Sequence, residues 1–529
     1  MGETDENGAY PMTAIPTCLY NHELLILFTS QTPYQSYRDP VGDAQARGYV
    51  QELADTRIDA LMCCPTAWRA VLWPSDVDPR WRQEDADRVA PVGPCEMKYS
   101  EKAYWRVQQY MIKGGDPVRV TRDTARDIGL TFFFSYRMND HHHLWNRDCP
   151  THDRFWRDHP EFQMDPDRGS YFNYLHAEVR AYYLALLTEL VERYDPEGLE
   201  LDFMRSPTFF PADRVDEGTV LMTEFVRDVR AMLDRNQGTG PRKLLSVRVP
   251  RDLAGCAKAG LDVVTWDQTK LVDMVNVSSY FISTHEIDIE GFRKQLDHAK
   301  IYGEMHFITD TGRIHPSGYR NNYSQKTTRE QYETLAHEYW QRGVDGLSVF
   351  NFSYCREHHF GEPRRRGFPG VEPPFEMLGT ACDPAAVAPR AKHYFINSNF
   401  DKLPISLGLE CSASVTLDLH ADIAAFQDAM LRLEMTESAW GMAFEVALND
   451  EILEASPYVG ELFAPFTRES LPDHFNVENY RVPAGFVQSG RNVVTITRRN
   501  ESAICEPLVC RRLELALYPY TLPPCMTGE

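Results

Sequence analysis

No stretch of about 18 consecutive apolar residues occurs in the 529-residue chain, so no membrane-crossing helix is predicted. The opening MGETDENGAYPMTAIP is acidic and has no apolar core, so a secretory leader is not expected and the expected location is the cytoplasm. Basic residues are in deficit: 55 Lys and Arg stand against 77 Asp and Glu, a net charge of −22. That field repels polyanions, so neither nucleic acid nor an anionic membrane is an expected partner. The 12 cysteines contain no CxxC pair, which removes zinc-finger spacing and a dense disulfide framework. Most are expected as buried thiols in a reducing compartment. There is no GxGxxG after a strand, no Walker loop, no HExxH and no GxSxG. NxS/T triplets begin at Asn276, Asn322, Asn351 and Asn500, and two of these fall in predicted strands, so they read as chance matches.

Apolar material is plentiful, at 43% of residues with 12% aromatic, enough for large cores. Eight apolar runs, each ending in polar residues, occur between residues 20 and 355. They are Leu24–Ser30, Ala60–Pro65, Leu130–Asp140, Gly198–Pro207, Leu244–Asp252, Met274–Phe281, Ile301–Asp310 and Gly346–Tyr354. Continuous apolar runs suit strands buried on both faces, as in a parallel sheet. Amphipathic stretches lie between them; His176–Tyr194 places Val179, Tyr183, Leu186, Leu187 and Leu190 on one helical face. Gly218–Leu233 and Thr328–Arg342 read likewise. Eight strands alternating with helices predict an α/β fold, a (β/α)8 barrel over residues 1–365. An excursion at about 66–125 is too long for one crossover. The Pro-, Gly- and Arg-rich EPRRRGFPGVEPPFE marks a boundary, and short alternating runs follow over 366–529. FEVALNDEILE carries a hairpin signal. This second region is expected to be an all-β sandwich, jelly-roll-like.

In a parallel barrel, chemistry gathers at the C-terminal ends of the strands. The fourth run, LELDFMRSP, alternates so that Glu200 and Asp202 share a face, with Arg205 following. The seventh run offers Glu304 and Asp310. Two carboxylates from separated strands can flank a bond, one protonating a leaving oxygen and the other attacking carbon or activating water. Asp202 is the first candidate, Glu304 the second, and Asp310 its rival. Around them, Arg137, Asn139, Asp140 and His141 end the third run; Arg248 ends the fifth, Tyr280 the sixth and Asn351 the eighth. These are candidate substrate-binding groups. Arg248 has an equally good alternative as an ion-pair partner of a nearby carboxylate such as Asp202 or Asp252. The run His141–His143, near Asp148, His152 and Asp153, is a weak metal candidate because consecutive histidines diverge, and no metal or other cofactor is expected. Trp68 and Trp73 are candidate aromatic platforms, and Asp273 reads as a group at the barrel bottom.

The segment Tyr194–Pro207 (YDPEGLELDFMRSP) resembles a signature of the glycoside-hydrolase-like family 10 proteins, which are (β/α)8 barrels assigned to carbohydrate hydrolysis. Lys270–Tyr280 (KLVDMVNVSSY) is similar to a later strand of that family. The resemblance spans about residues 125–355. It implies a glycosidase acting on an oligo- or polysaccharide, with Asp202 and Arg205 on the family's acidic and basic positions. Glu200 stands where the family often has His, and Ser206-Pro207 replaces Tyr-Pro, which marks a divergent member. Two other classes fit the same residues: a lyase or metal-dependent sugar enzyme using His141–His143, and a glycan-binding barrel without turnover. Carbohydrate is the expected partner; whether the chain acts alone or as a homo-oligomer is open.

Overall fold

The computed structural model describes residues 13–27, 41–82, 99–147, 149–238, 240–310, 324–353, 373–397, 402–436, 439, 441–458, 462–463, 475–500 and 504–527. The chain forms two compact units. One comprises Met1–Tyr280, Ile287–Glu304 and Val344–Glu362; the other comprises Phe281–Glu286, Met305–Gly343 and Pro363–Glu529. Among the described residues no helix is long and apolar enough to cross a membrane.

The first unit is built on a closed eight-stranded barrel. Its strands are β1 (Cys18–Glu23), β2 (Ala60–Cys64), β3 (Thr131–Arg137), β4 (Gly198–Asp202), β5 (Leu244–Pro250), β6 (Met274–Ser278), β7 (Lys300–His306) and β8 (Gly346–Phe350). β1 pairs in parallel with both β8 and β2, which closes the ring. Crossover helices include Ala177–Tyr194 and Val215–Arg235. Between β2 and β3 lie the small ribbon Thr66–Ala67/Ala70–Val71 and the helices Tyr99–Ile112 and Pro117–Asp127. Pro117 opens the last helix, and Asp116 caps it by accepting Arg119 N–H at 3.0 Å.

One strand lies elsewhere than the sequence suggests. The most apolar run near the start, LLILFTS, is not β1; its Leu24–Leu27 is a helical turn, and β1 is the preceding CLYNHE. The reason is the lumen. Asn21 and Glu23 point into a polar interior, so β1 has no continuous apolar run to recognise.

Successive inward residues stack in layers. The lowest is apolar: Leu19, Met62, Phe133, Leu244, Met274 and Tyr302 form one buried cluster. It fits because β4 and β8 begin with glycine. A Cβ on Gly198 would overlap the Phe133 ring, and one on Gly346 the Tyr302 ring. Above this floor the inward residues turn polar.

The second unit contains two antiparallel sheets, numbered on as β9 (Lys392–Ile396), β10 (Ile405–Leu407), β11 (Ser412–Leu419), β12 (Asp428–Thr436), β13 (Phe444–Leu448), β14 (Glu451–Ile452), β15 (Glu454–Ser456), β16 (Phe475–Val482), β17 (Gly490–Arg498) and β18 (Leu508–Tyr518). The order is β9-β18-β12-β16-β15, with β10 on β18, in one sheet and β11-β17-β13-β14 in the other. Alternate residues such as Leu431, Leu433, Val446, Val494, Ile496 and Leu515 fill the space between. The expected hairpin is β13–β14, turning through Asn449 and Asp450 at φ 52° and 69°. This unit also holds the helix Arg329–Gln341, whose Glu338 accepts from Tyr394 Oη at 2.8 Å and meets His420 Nδ1 at 2.6 Å.

Cys63, Cys64, Cys149, Cys256 and Cys510 are buried thiols, and Cys411 and Cys505 are exposed ones. Cys18, by contrast, is in a disulfide, as is Cys382 of the second unit, which the scattered spacing did not foretell.

Candidate active site

The polar layers of the lumen place four charged groups together. Arg248, on β5, reaches to neighbouring β4 on one side and past β6 to β7 on the other. Its Nε and Nη2 donate to Glu304 on β7, at 2.8 Å to Oε2 and 2.7 Å to Oε1, while Nη1 donates to Asp202 Oδ1 on β4 at 2.9 Å. Nη2 also donates to Ser278 Oγ at 3.0 Å and to the Tyr280 carbonyl at 2.9 Å. The guanidinium lies over the Phe350 ring, 3.8 Å from its centroid. One buried cation thus joins both carboxylates. Burial opposes its charge, but Asp202 and Glu304 raise its affinity for the proton above the ordinary arginine value.

The two acids differ. Asp202 Oδ1 accepts from Arg248 and from Met204 N–H at 2.9 Å, whereas Oδ2 makes no hydrogen bond with any described residue. Glu304 is engaged at both oxygens, with Asn276 Nδ2 donating to Oε2 at 2.9 Å. Burial pushes the Glu304 carboxyl up, against the pull of Arg248.

A third acid, Glu200, sits beside them on β4. It accepts from Ser135 Oγ at 2.7 Å, Ser246 Oγ at 3.0 Å and Asn21 Nδ2 at 3.2 Å. Burial raises its pKa to about 7; the Ser135 bond counters this, and the charges of Asp202 and Glu304 add to the rise. Among the described residues Arg248 is the cation bonded within this group of three acids, and one proton on Glu200 relieves the excess negative charge.

A second ionic cluster lies at the ends of β1, β3 and β4. Arg137 donates to Glu23 Oε2 at 2.7 Å and to Asp140 Oδ2 at 3.2 Å. Arg205 Nε stands 3.5 Å from Asp140 Oδ2, and its guanidinium lies 5.9 Å from the Tyr280 ring. His142 bridges the pair: Nδ1 meets Asp140 Oδ1 at 2.6 Å and Nε2 meets Arg205 Nη2 at 2.5 Å. A neutral ring protonated at Nδ1 satisfies both bonds. Burial lowers the His142 pKa to about 3, against the pull of Asp140. Against the cost of burial, His142, Arg137 and Arg205 hold Asp140 well below the carboxylate range. With its Nε2 facing a guanidinium, His142 is badly placed to receive a cation. Among the described residues no group of three His, Cys, Asp or Glu side chains is arranged to hold a metal ion.

The remaining sequence candidates fall in different places. Asn139 is buried and ties loops together, accepting from Arg69 Nη2 at 3.2 Å and donating to the Thr208 carbonyl at 2.6 Å. His141 Nδ1 meets Ser206 Oγ at 2.5 Å. His152 Nε2 meets the carbonyls of His143 and Asn146, both at 3.0 Å, and Asp153 caps a helix through Trp156 N–H. Tyr280 and Asn351 both take left-handed backbone, at φ 79° and 51°, just past the ends of β6 and β8. Asn351 is buried, and its side-chain oxygen and nitrogen have no hydrogen-bond partner among the described residues. Trp73 is a core residue donating to Glu189 at 3.0 Å. Asp273 lies just before β6 and accepts Leu245 N–H at 2.8 Å. Asp310 ends a ribbon, Ile308–Asp310 paired with Ser324–Lys326, and its side chain lies outside the described residues, as does all of Asp148.

Sequence reasoning missed Glu23 as a site residue and left Glu200 without a role. Glu23 became findable only once β1 was placed on CLYNHE, where it is a strand-end acid like Asp202.

No protein-family model matches the chain, and no curated protein does. Among solved structures, a cycloisomaltooligosaccharide glucanotransferase from Paenibacillus sp. is similar at 10% identity and TM-score 0.29; the match covers 94% of this chain, which spans 57% of that one. A noncanonic maltogenic alpha-amylase from Thermotoga neapolitana aligns at 12% identity and TM-score 0.36, over 93% of this chain and 98% of the other. Alpha-L-fucosidase isoenzyme 1 from Paenibacillus thiaminolyticus aligns at 14% identity and TM-score 0.34, over 91% and 96%.

Proposed function

We propose that the protein hydrolyses glycosidic bonds at the C-terminal mouth of its barrel, with Asp202 as the ionised carboxylate that faces the reacting carbon. One observation carries this reading. Asp202 is held by one oxygen, between Arg248 Nη1 and Met204 N–H, while its other oxygen bonds to none of the described residues. A half-clamped carboxylate is oriented, charged and still able to attack or to stabilise a developing oxocarbenium ion. Glu304 is the second carboxylate of the proposal. It can act as proton donor only if Arg248 releases one of its oxygens when substrate enters, and Asp310 remains its rival.

Aryl glycosides with poor and with activated leaving groups separate these roles. Asp202→Asn is expected to lose at least about 100-fold in kcat on both kinds. The variant of the proton donor, Glu304→Gln or Asp310→Asn, is expected to lose activity on the poor leaving group and keep it on the activated one. Turnover by Asp202→Asn close to the wild type would reject the assignment.

A second reading has one observation in its favour. Both Glu304 oxygens are satisfied internally, as in a scaffold that binds glycan without cleaving it. It predicts glycan binding with no sugar release by the wild type.

A further inference from the structure

The loop after β3 and the ribbon after β2 bring aromatic rings together beside the second ionic cluster. Trp68 is half-buried at the tip of the ribbon, and its backbone is left-handed, at φ 57°. That conformation is costly for a bulky residue and is found where a side chain is held for use. The Trp68 ring meets the His143 ring edge-on at 5.1 Å between centroids, and His143 meets Trp145 at 6.1 Å. Trp145 is 70% exposed, the most exposed large apolar side chain among the described residues. The loop beneath is braced: His152 Nε2 meets the carbonyls of His143 and Asn146, and Gly169 passes so close that a Cβ would strike the Leu144 carbonyl. The rings are therefore presented on a fixed support.

We propose that Trp68, His143 and Trp145 form a stacking subsite for a neutral pyranose, on the rim next to β2 and β3. The proposal deepens the glycan reading above and rests on it. Two observations select the ligand. First, charge here cancels: Arg69, Arg137 and Arg205 are each paired with an acid among Glu23, Asp140 and Asp153, and His141 and His142 are held neutral by burial. Among the described residues these three arginines offer an anionic sugar no cation without an acid beside it. Second, buried Arg69 has Nε and Nη1 without hydrogen bonds among the described residues, with Asp153 Oδ2 3.9 Å from Nη1. The cavity it lines with Trp68, Arg137 and Asp140 has a volume of about 10 Å³, room for a single oxygen. Apolar ring faces beside hydrogen-bond donors match the two sides of a pyranose.

Native gels containing soluble starch, laminarin or glucomannan, with polygalacturonate as the anionic probe, test this on the full chain. The wild type should be retarded by at least one neutral glycan. Trp145→Ala and Trp68→Ala should raise the dissociation constant about tenfold, and Trp145→Phe should keep most of the retardation. Equal retardation of the alanine variants, retardation by polygalacturonate alone, or no retardation by any neutral glycan each overturns the subsite. So does self-association of the wild type that Trp145→Ala removes, which would assign the rings to a second copy of the chain. Retardation lost in the alanine variants, with no sugar released by the wild type, keeps the subsite and rejects the hydrolase.

Discussion

A single guanidinium sets the character of the lumen. Arg248 holds Asp202 and Glu304 at once, and its attraction opposes the cost of burying charge there. Glu200 makes no hydrogen bond to Arg248, and burial raises its pKa to about 7. The consequence for stability has a definite sign. The folded state holds the Glu200 proton more tightly than the unfolded chain, so this group's contribution is complete below pH 4.5 and declines as pH rises through about 7. Glu200→Gln keeps an acceptor for Ser135 and removes that decline. Urea titrations should show the variant more stable than wild type at pH 8.5, by up to about 3 kcal/mol, with the gain vanishing near pH 4.5. A constant difference across that range would reject the protonated Glu200.

The strands show what a sequence discloses about its fold. Seven of the eight barrel strands overlap the apolar runs, since outward residues such as Leu199, Leu201, Val247 and Val249 are buried against helices. β1 escaped notice because its inward residues are polar. The grip of Arg248 on Glu304 was equally hidden: β5 and β7 flank β6, and only the inward turn of both side chains past that strand brings them together. The platform of Trp68, His143 and Trp145 left no periodic signal, because it is built from two loops. The floor, by contrast, depends on two glycines whose need can be tested. Gly198→Ala should cost about 1–3 kcal/mol by overpacking Phe133, and Phe133→Leu in the same chain should recover part of the loss, read as Tm. At the β13–β14 hairpin, Asp450 sits at φ 69°, a conformation that glycine adopts without strain. Asp450→Gly is therefore expected to stabilise by about 0.5–1 kcal/mol, and a lower Tm would contradict this account of the turn.

At the scale of the molecule, the two compact units do not divide the chain at a single point. The helix Arg329–Gln341 precedes the predicted boundary at 365, yet its partners are Tyr394, His393 and His420. Removing everything after residue 365 strips Glu338 of both its ligands and leaves that helix without its packing surface. The shortened chain is expected to be insoluble or to lack a cooperative thermal transition, and a soluble product melting like the full chain would show that the helix needs none of those contacts. The apolar floor carries the last consequence. With Phe133 and Tyr302 filling the space above Gly198 and Gly346, the barrel is a cup and not a pipe. A long chain cannot be threaded through it. Whatever reaches Asp202 must lie across the brim or dip one end inside, and it must leave by the opening through which it came.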